Sequence, residues 1–463
     1  MPKPRLTASL PRIDDYAQAV LDGEIVAGPW VRNACRRHFD DLEGGHERGL
    51  SFDSEAAQRA TDFFEELLKL SEGQFEGKPF KLDPSQAFKV GSLFGWKRQD
   101  GSRRFRRAYV EEGKGNGKSP LAGGVGLYGL TADGEAGAQI YAAAAKKEQA
   151  NILFQDAVKM AKNSPKFERG PGKLTFAGGK GREFNIAHLR SGSFFRPVSR
   201  DTGKTGSGPR PYFILADEIH ELPDRSILET LERGFKFRIN PLLFMITNSG
   251  SDRTSVCYEE HELACKVASG NPAAPRSKEY LGEIIDDSMF AFVCSLDDGD
   301  DPINDTSCWP KANPLLGVTI TEEYLAEVVK QAKNTPGRMN SILRLHFCVW
   351  TDADAEWLSD AAVDAVLKPI DRTLFAKKQL FLGVDLSQRD DFSAVAGALE
   401  DDGHTYAWAD VWGCLDGLQE RSDRDNVPYL EWFRQGIIQA TDGPVVDMLE
   451  IALHLQQLAA EYD

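Results

Sequence analysis

The chain has 463 residues, of which 41% are hydrophobic and 27% charged, and its formal net charge is −16. This composition is typical of a globular protein, and the length is sufficient for two or three domains. The acidic excess argues against a passive, non-specific nucleic-acid coat protein. No apolar run approaches the ~20 residues that a membrane-spanning helix needs, and the N-terminal sequence lacks the apolar core of a signal peptide.

Cysteine and histidine usage gives no sign of a disulfide framework or a metal site. The seven cysteines are scattered and odd in number, without a C-x-x-C pair, and the eight histidines show no metal-ligand spacing. Reduced thiols in a cytosolic compartment are the simplest interpretation. We interpret the histidines as ordinary polar or core residues.

The first predicted elements are helices. Apolar spacing within residues 12–50 predicts two short helices that are broken at Gly23 and at Gly28-Pro29. Residues 54–72 predict an amphipathic helix with Ser54 at its N-cap. We therefore interpret residues 1–80 as a helical N-terminal segment.

A strongly basic stretch comes next. It contains Lys97, Arg98, Arg103, Arg104, Arg106 and Arg107. Clustered cations of this kind can grip the phosphates of DNA. A solvated strand face is an equally good interpretation, and the sequence leaves the two open.

Residues 107–121, RAYVEEGKGNGKSPL, have the layout of a phosphate-binding loop. An apolar, β-branched run leads into a glycine-dense loop and then into a helix-like segment, so the backbone N–H groups and the positive end of the helix can face phosphate oxygens. Lys118 is expected to reach the β- and γ-phosphates, and the Ser119 hydroxyl to bind Mg²⁺. The predicted nucleotide contacts in the loop are Gly113, Gly115, Asn116, Gly117, Lys118 and Ser119.

The loop departs from the pattern G-x-x-x-x-G-K-[ST] at its first position, which is Glu112. A surface turn rich in glycine and lysine is therefore an alternative. A second stretch favours the phosphate-binding loop: the apolar run 212–216 is interpreted as a buried strand, and it ends in Asp217-Glu218. This arrangement resembles a Walker B strand, in which Asp217 would hold Mg²⁺ through water and Glu218 would polarise the attacking water. A strand followed by a solvated acidic turn is its alternative.

Strands and helices alternate through this region, which predicts an α/β fold, a P-loop NTPase domain with a mainly parallel sheet. Residues 241–247 form another apolar strand, and the polar turn that follows begins with Asn248. Loops after the carboxyl ends of such strands are where open α/β sheets bind ligands. We expect Asn248 to sense the γ-phosphate. Residues 81–350 are assigned to this ATPase domain with its lid, and residues 351–378 to a linker.

A new pattern begins at residue 379. The stretch QLFLGVDLSQRDDFSAVAGAL predicts a buried strand that presents Asp385, a turn with Asp390 and Asp391, and a return strand. An acid on the first strand of such a meander suggests a ribonuclease H-like nuclease, whose carboxylates hold two metal ions, Mg²⁺ or Mn²⁺. A structural role for a lone strand aspartate stays open. Asp447 falls in a helix-like run, where a solvated face is the better interpretation.

Taken together, these motifs resemble the large terminase subunit of tailed bacteriophages, the ATPase–nuclease that packages DNA. The likeness extends over nearly the whole chain, and it rests on six segments: DGEIVAGPWVRNACRRHFDDL, FGWKRQDGSRRFRRAYVEEGKGNGKSPLA, LADEIHEL, MITNSG, GVDLSQRDDFSA and VPYLEWFRQGIIQATDGPVVD. The combination in this order is specific, although each segment alone is not.

The resemblance implies a function and a set of partners. ATP hydrolysis would drive double-stranded DNA into a procapsid, and a metal-dependent endonuclease would cut concatemeric DNA. The expected partners are DNA, the small terminase subunit, the portal protein and further copies of the chain in a ring, all in the host cytoplasm and without a membrane. Two alternatives remain: another P-loop DNA motor, such as a helicase or remodelling ATPase without nuclease activity, and a scaffold protein with a degenerate loop.

The sequence departs from the family at two places. Lys114 stands where the family often has an arginine that is thought to contact the γ-phosphate in cis; a lysine supplies a point charge but not a bidentate fork. The chain also ends where the family continues into the strand that carries the next nuclease carboxylate. We therefore expect residues 379–463 to be an incomplete nuclease domain that cuts DNA poorly or not at all.

Overall fold

The computed structural model describes residues 11–199, 209–351, 365–387, 391–425, 427–441 and 443–462. The chain divides into two compact units, Met1–Ser359 and Asp360–Asp463. Within the described ranges, no helix combines the length and the apolar character that crossing a membrane requires.

The first unit is built from helices packed on a large sheet. Its α-helices are α1 (Pro11–Leu21), α2 (Pro29–Gly44), α3 (Ser54–Asp62), α4 (Pro84–Gly95), α5 (Lys118–Thr131), α6 (Lys147–Lys162), α7 (Ser226–Glu232), α8 (Val256–Ser269), α9 (Trp309–Ala312), α10 (Glu322–Asn334) and α11 (Met339–Phe347). Its strands are β1 (Leu50–Phe52), β2 (Trp96–Arg98), β3 (Arg107–Glu111), β4 (Gln139–Ala144), β5 (Thr175–Ala177), β6 (Asn185–His188), β7 (Ser193–Ser199), β8 (Phe213–Asp217), β9 (Leu242–Thr247) and β10 (Met289–Val293).

Eight of these strands form one sheet in the order β10-β3-β9-β8-β4-β7-β6-β5. The pairings from β10 to β7 are parallel, and the pairings of β7 with β6 and of β6 with β5 are antiparallel. All residues of β8, β9 and β10 are buried, as expected for parallel strands covered by helices on both faces. The predicted α/β fold with a mainly parallel sheet is confirmed.

Two local predictions in the N-terminal part are wrong in detail. The N-cap of α3 is Asp53 rather than Ser54, because the Asp53 carboxylate accepts a 2.9 Å hydrogen bond from the Ala56 N–H. A carboxylate is the stronger acceptor at the positive end of a helix. The helix predicted over 54–72 also stops being α-helical at Asp62 and continues as a π-helical turn over Phe63–Leu67.

Neither interpretation of the basic stretch holds for its central arginines. Arg104 is fully buried, and its guanidinium donates to Asp41 and to Asp287, each at 2.7 Å. Arg103 is also buried and is paired with Asp133. Because buried charges require partners, these guanidinium groups serve the fold of the first unit and are not available to DNA phosphates.

The second unit is smaller. Its strands are β11 (Phe381–Asp385), β12 (Ser393–Asp401), β13 (His404–Cys414) and β14 (Ile438–Thr441), and its α-helices are α12 (Leu418–Asp425), α13 (Tyr429–Arg434) and α14 (Met448–Glu461). The sheet order is β11-β12-β13-β14. The first two strands form the predicted antiparallel pair, and β13 extends it into a meander. β14, which the sequence analysis did not predict, pairs parallel to β13.

The prediction that β11 is a buried strand is wrong. All five of its residues are exposed, including Phe381 at 60% and Val384 at 45%. β11 is the edge strand of the four-stranded sheet, and the small core of this unit lies around Val395 and Trp412 instead. Its apolar composition alone did not distinguish an edge strand from a central one.

The helix that begins at the phosphate-binding loop lies unusually close to the sheet. A Cβ atom at Gly126 of α5 would lie 2.7 Å from Phe195 Cε1 and 2.8 Å from Leu215 Cδ1. Both neighbours are fully buried in the core, so they have no free space to move into. The glycine therefore sets how closely α5, and with it the loop, approaches the strands.

We expect Gly126→Ala to lower the melting temperature of the protein in thermal unfolding. Overpacking a core costs about 1–3 kcal/mol, which exceeds the ~1 kcal/mol that alanine gains over glycine in a helix interior. Gly44→Ala is the matched control, because Gly44 ends α2 with open space around the position of its Cβ. A Gly126→Ala protein that melts at or above the wild-type temperature contradicts this packing argument.

Candidate functional site

The phosphate-binding loop lies between β3 and α5, and its glycines are required by geometry. Gly115 and Gly117 have φ angles of 90° and 70°, in the left-handed region that side chains disfavour. A Cβ atom on Gly113 would collide with Asn313 Oδ1 and lie 2.9 Å from the His346 carbonyl oxygen. The predicted loop glycines are thus explained by backbone conformation or by close approach.

The segment 309–350, which carries α9 to α11 and which we call the lid, covers the start of the loop. The Gly113 N–H donates to the Ala312 carbonyl at 3.0 Å, and the Lys114 N–H donates to the Leu345 carbonyl at 2.6 Å. Within the described ranges, the N–H groups of residues 115–117 donate no hydrogen bond. These free donors at the start of a helix are the ones that a phosphate group would bind.

The Lys118 side chain joins the loop to the end of a neighbouring strand. Its ammonium donates to the Glu112 carbonyl at 2.7 Å, to the Gly113 carbonyl at 3.1 Å and to Asn248 Oδ1 at 2.7 Å. Lys118 is only 7% exposed. The structure therefore brings together two residues that the sequence analysis chose on separate grounds.

Ser119 and Asp217 also meet, although they lie on different elements. The Ser119 hydroxyl donates to Asp217 Oδ2 at 3.1 Å. The other carboxylate oxygen, Oδ1, is buried and accepts no hydrogen bond from the residues that the structure describes. A hydroxyl and a carboxylate with a spare buried oxygen fit a hard cation such as Mg²⁺, which prefers oxygen ligands.

The protonation of Asp217 supports this fit. Burial, together with the nearby Glu218 charge, raises the pKa of Asp217 to about 7, while Lys118 and the Ser119 hydroxyl act to lower it. Burial outweighs the Lys118 charge, so the surroundings favour the neutral carboxyl group. A divalent cation would add positive charge and favour the ionised form.

Glu218 follows Asp217 directly and has a strained backbone. Its φ and ψ angles are 50° and 52°, a left-handed conformation that is rare for residues other than glycine and occurs often at functional sites. Its side chain is 30% exposed, and Oε2 lies 3.2 Å from His220 Nδ1. The sequence analysis did not identify His220, because nothing in its spacing distinguishes it from an ordinary polar histidine.

The departure at Glu112 also has a structural explanation. Its carboxylate is fully buried and forms an ion pair with the Lys89 ammonium of α4, which is likewise buried. The same ammonium lies 4.6 Å from the ring centroid of Phe292. Lys89 was missed because a buried acid predicts some cationic partner but not which one.

Asn116 and Lys114 are two further loop residues that the sequence analysis assigned to the site. The Asn116 amide donates to the Gly113 carbonyl at 2.8 Å and to Asn313 Oδ1 at 2.9 Å, and its oxygen accepts from the Leu315 N–H at 3.0 Å. The Asn116 side chain is therefore occupied by partners within the protein, and only its backbone is available to contact a nucleotide. The Lys114 side chain is exposed.

The proposed nuclease residues Asp385 and Asp391 are both exposed side chains of the second unit. Asp385 ends the exposed strand β11, and Asp391 accepts from the Phe392 N–H at 2.8 Å and from Arg421 at 3.4 Å. Asp390 lies outside the described residues. Among the residues that are described, no group of three or more His, Cys, Asp or Glu side chains is arranged to hold a metal ion. Asp447 caps α14, which agrees with the predicted helix.

Comparisons with known proteins give a family for both units. The family model of the terminase large subunit ATPase domain matches residues 84–266, and the model of the terminase large subunit endonuclease domain matches residues 283–461. The endonuclease match disfavours a P-loop motor without a nuclease.

Individual relatives agree with these matches. The large terminase subunit of Enterobacteria phage HK97 is 25% identical over 417 residues, which span 88% of this chain and 75% of the relative. Protein YmfN of Escherichia coli K12 is 24% identical over 54% of this chain and 54% of its own length. The crystal structure of the HK97 large terminase shares the fold with a TM-score of 0.50 and 22% identity, covering 88% of this chain and 78% of that one.

The side-chain contacts at the carboxyl edge of the sheet and the two domain matches lead to the same assignment. The chain belongs to the terminase large subunit family and carries its ATPase and endonuclease domains, the two activities that serve DNA packaging and cleavage.

Proposed function

We propose that the loop 112–119 binds ATP together with Mg²⁺ and that Glu218 polarises the attacking water. The observation that carries this proposal is the meeting of Lys118 with Asn248 and of Ser119 with Asp217 at one edge of the sheet. The free N–H groups of residues 115–117 support it, because they provide a cradle for the phosphates.

In this proposal the protein acts mainly by positioning and by charge, as in other P-loop enzymes. Ser119 and Asp217 would hold Mg²⁺, which neutralises phosphate charge when bound. When ATP binds, the Lys118 ammonium gives up its hydrogen bonds to backbone carbonyl oxygens and donates to phosphate oxygens instead. Asn248, whose side chain accepts a hydrogen bond from the same ammonium, is affected by this change. Glu218 accepts a hydrogen bond from the water and directs its oxygen toward the γ-phosphate. Lys114 replaces the cis arginine as a point charge.

A cavity next to the loop is a candidate for the nucleoside. It has a volume of about 380 Å³ and is lined by residues that include Tyr16, Val31, Pro84, Phe292 and Asn313. Asn313 also contacts the loop through Asn116. Mostly apolar walls with a few polar groups suit a purine ring and its ribose.

For the second unit, we propose a nuclease centre that uses Asp385 and Asp391 as ligands of Mg²⁺ or Mn²⁺. Both carboxylates are exposed; Asp385 is the last residue of β11, and Asp391 lies two residues before β12 begins. We propose the functional division 1–80, 81–350, 351–378 and 379–463. The boundary between the compact units, at residues 359 and 360, falls within the proposed linker.

The proposed biological role is ATP-driven translocation of double-stranded DNA into a procapsid, followed by endonucleolytic cutting of concatemeric DNA. Partners would be the small terminase subunit, the portal protein and further copies of this chain in a ring, in the cytoplasm of the bacterial host. Family membership supports this role.

We expect Lys118→Ala to reduce ATP turnover by at least about 10²-fold, because the developing phosphate charge loses its main cation. Glu218→Gln should keep nucleotide binding and stop turnover, since an amide cannot polarise the water as a carboxylate does. Phosphate release and binding of a fluorescent ATP analogue would measure the two effects. Normal turnover by Glu218→Gln would show that the assignment of this residue is wrong.

For Lys114, we expect Lys114→Ala to lower kcat on the order of 10²-fold with little change in nucleotide affinity, because the charge acts on the transition state. Lys114→Arg should retain or improve turnover. Steady-state kinetics and direct nucleotide titration separate the two quantities. A pure loss of affinity with unchanged kcat would indicate ground-state binding instead.

For the nuclease, we expect Asp385→Ala to abolish Mn²⁺-dependent cutting of plasmid DNA in any form of the protein that cuts, because the metal loses a ligand. ATP turnover should stay unchanged. Glu450→Ala is the control, since Glu450 is an exposed acid in the first turn of α14. Undiminished cutting by Asp385→Ala would remove this residue from the site.

A further inference from the structure

A histidine beside the proposed catalytic glutamate links two neighbouring strands. His220 lies in the short 3-10 turn Ile219–Glu221 that follows β8, and Thr247 is the last residue of β9. His220 Nδ1 is 3.0 Å from the Thr247 hydroxyl oxygen, and the His220 backbone N–H donates to the same oxygen at 3.3 Å. The Thr247 hydroxyl donates its own proton to the Asn248 carbonyl at 2.8 Å.

These contacts define the state of the imidazole. Because the Thr247 proton is already donated, its oxygen acts as an acceptor toward the ring, and His220 Nδ1 therefore carries a hydrogen. Burial is the largest influence on His220 and lowers its pKa, while the Glu218 and Glu221 charges act in the opposite direction. The ring is thus neutral near pH 7, with a single N–H facing Thr247.

The same Nδ1 lies 3.2 Å from Glu218 Oε2. That carboxylate oxygen is buried and accepts no hydrogen bond in the part of the chain that the structure describes. One N–H group is therefore placed between two acceptors, the Thr247 hydroxyl and the Glu218 carboxylate. A small rotation of the ring or of the carboxylate moves the hydrogen bond from one acceptor to the other.

We propose that His220 is a positioning residue for ATP hydrolysis, whose Nδ1–H orients the Glu218 carboxylate and links it through Thr247 to the segment that holds Lys118. The link is short, because Thr247 precedes Asn248, whose side chain accepts from the Lys118 ammonium at 2.7 Å. This inference rests on the proposed role of Glu218 as the residue that polarises water. It adds a connection between that carboxylate and the phosphate end of the site.

A purely structural role for His220 makes a different prediction. β8 and β9 are already paired over five residues, from Phe213 with Leu242 to Asp217 with Ile246. The side-chain contact adds little to this pairing, so its loss alone should alter stability only slightly. An effect on kcat without an effect on melting temperature therefore distinguishes positioning from structural support.

The experiment compares three substitutions of His220 in the whole chain. His220→Ala removes the donor, His220→Asn returns an amide N–H near the position of Nδ1, and His220→Gln places it near the position of Nε2. We expect His220→Ala to lower kcat about 10- to 100-fold, because a misplaced catalytic group costs on that order. KM for ATP and the melting temperature should stay within error of wild type. Asn should restore most of the lost rate, and Gln should not.

Each result has a defined meaning. Unchanged kcat in His220→Ala, equal rates for Asn and Gln, or a lower melting temperature that accounts for the lost activity would overturn the inference. If Glu218→Gln also turns over normally, the proposed function itself fails; if only Glu218→Gln is inactive, the function stands without the role of His220. His404→Ala is the matched control, because His404 is an exposed histidine on β13.

Discussion

The hydrogen bonds of the buried Lys118 ammonium are the interaction on which the geometry of the candidate nucleotide site depends. A lysine that is 7% exposed must have oxygen partners, and its three acceptors come from the loop after β3 and from Asn248 after β9. β3 and β9 are parallel neighbours, so their carboxyl ends meet at one edge of the sheet. The same constraint brings Asp217, at the end of β8, to Ser119. A parallel sheet with this strand order thus assembles the site from residues far apart in the sequence.

Buried charge pairs serve the fold around this site. Lys89 and Glu112 form a fully buried ion pair at the start of the loop, and Arg104 is held by Asp41 and Asp287. Breaking a buried pair by removing one partner is costly, about 3–5 kcal/mol, because it leaves an unpaired charge. This explains how the central arginines of a stretch that reads as a DNA-binding patch can lie inside the first unit. It also explains why Glu112, which breaks the loop pattern, is compatible with a working loop.

The sequence was sufficient for features that follow from local pattern. Continuous apolar runs predicted the buried parallel strands, and the glycines with the following Lys118 and Ser119 predicted the loop. It was insufficient wherever the answer depends on a partner distant in the chain. Lys89 and His220 have no local signal, because their contacts are with Glu112 and Thr247, which lie further along the chain. The apolar composition of β11 indicated a buried strand, but β11 lies at an edge of its sheet and its residues are exposed. The short strand β14 was missed because four residues give too little periodicity.

The segment after β9 also connects the phosphate end of the site to the lid. Asn248 accepts from Lys118, and the hydroxyl of the next residue, Ser249, shares its one proton between the carbonyl oxygens of Arg344 and Val349, at 3.0 and 3.1 Å. Because no spacer separates the two residues, a backbone change that follows Asn248 must displace or strain the Ser249 contacts. The lid in turn accepts hydrogen bonds from the N–H groups of Gly113 and Lys114. Loop, strand end and lid therefore form a closed circuit of hydrogen bonds, so the phosphate end of the candidate site and the lid share one set of contacts.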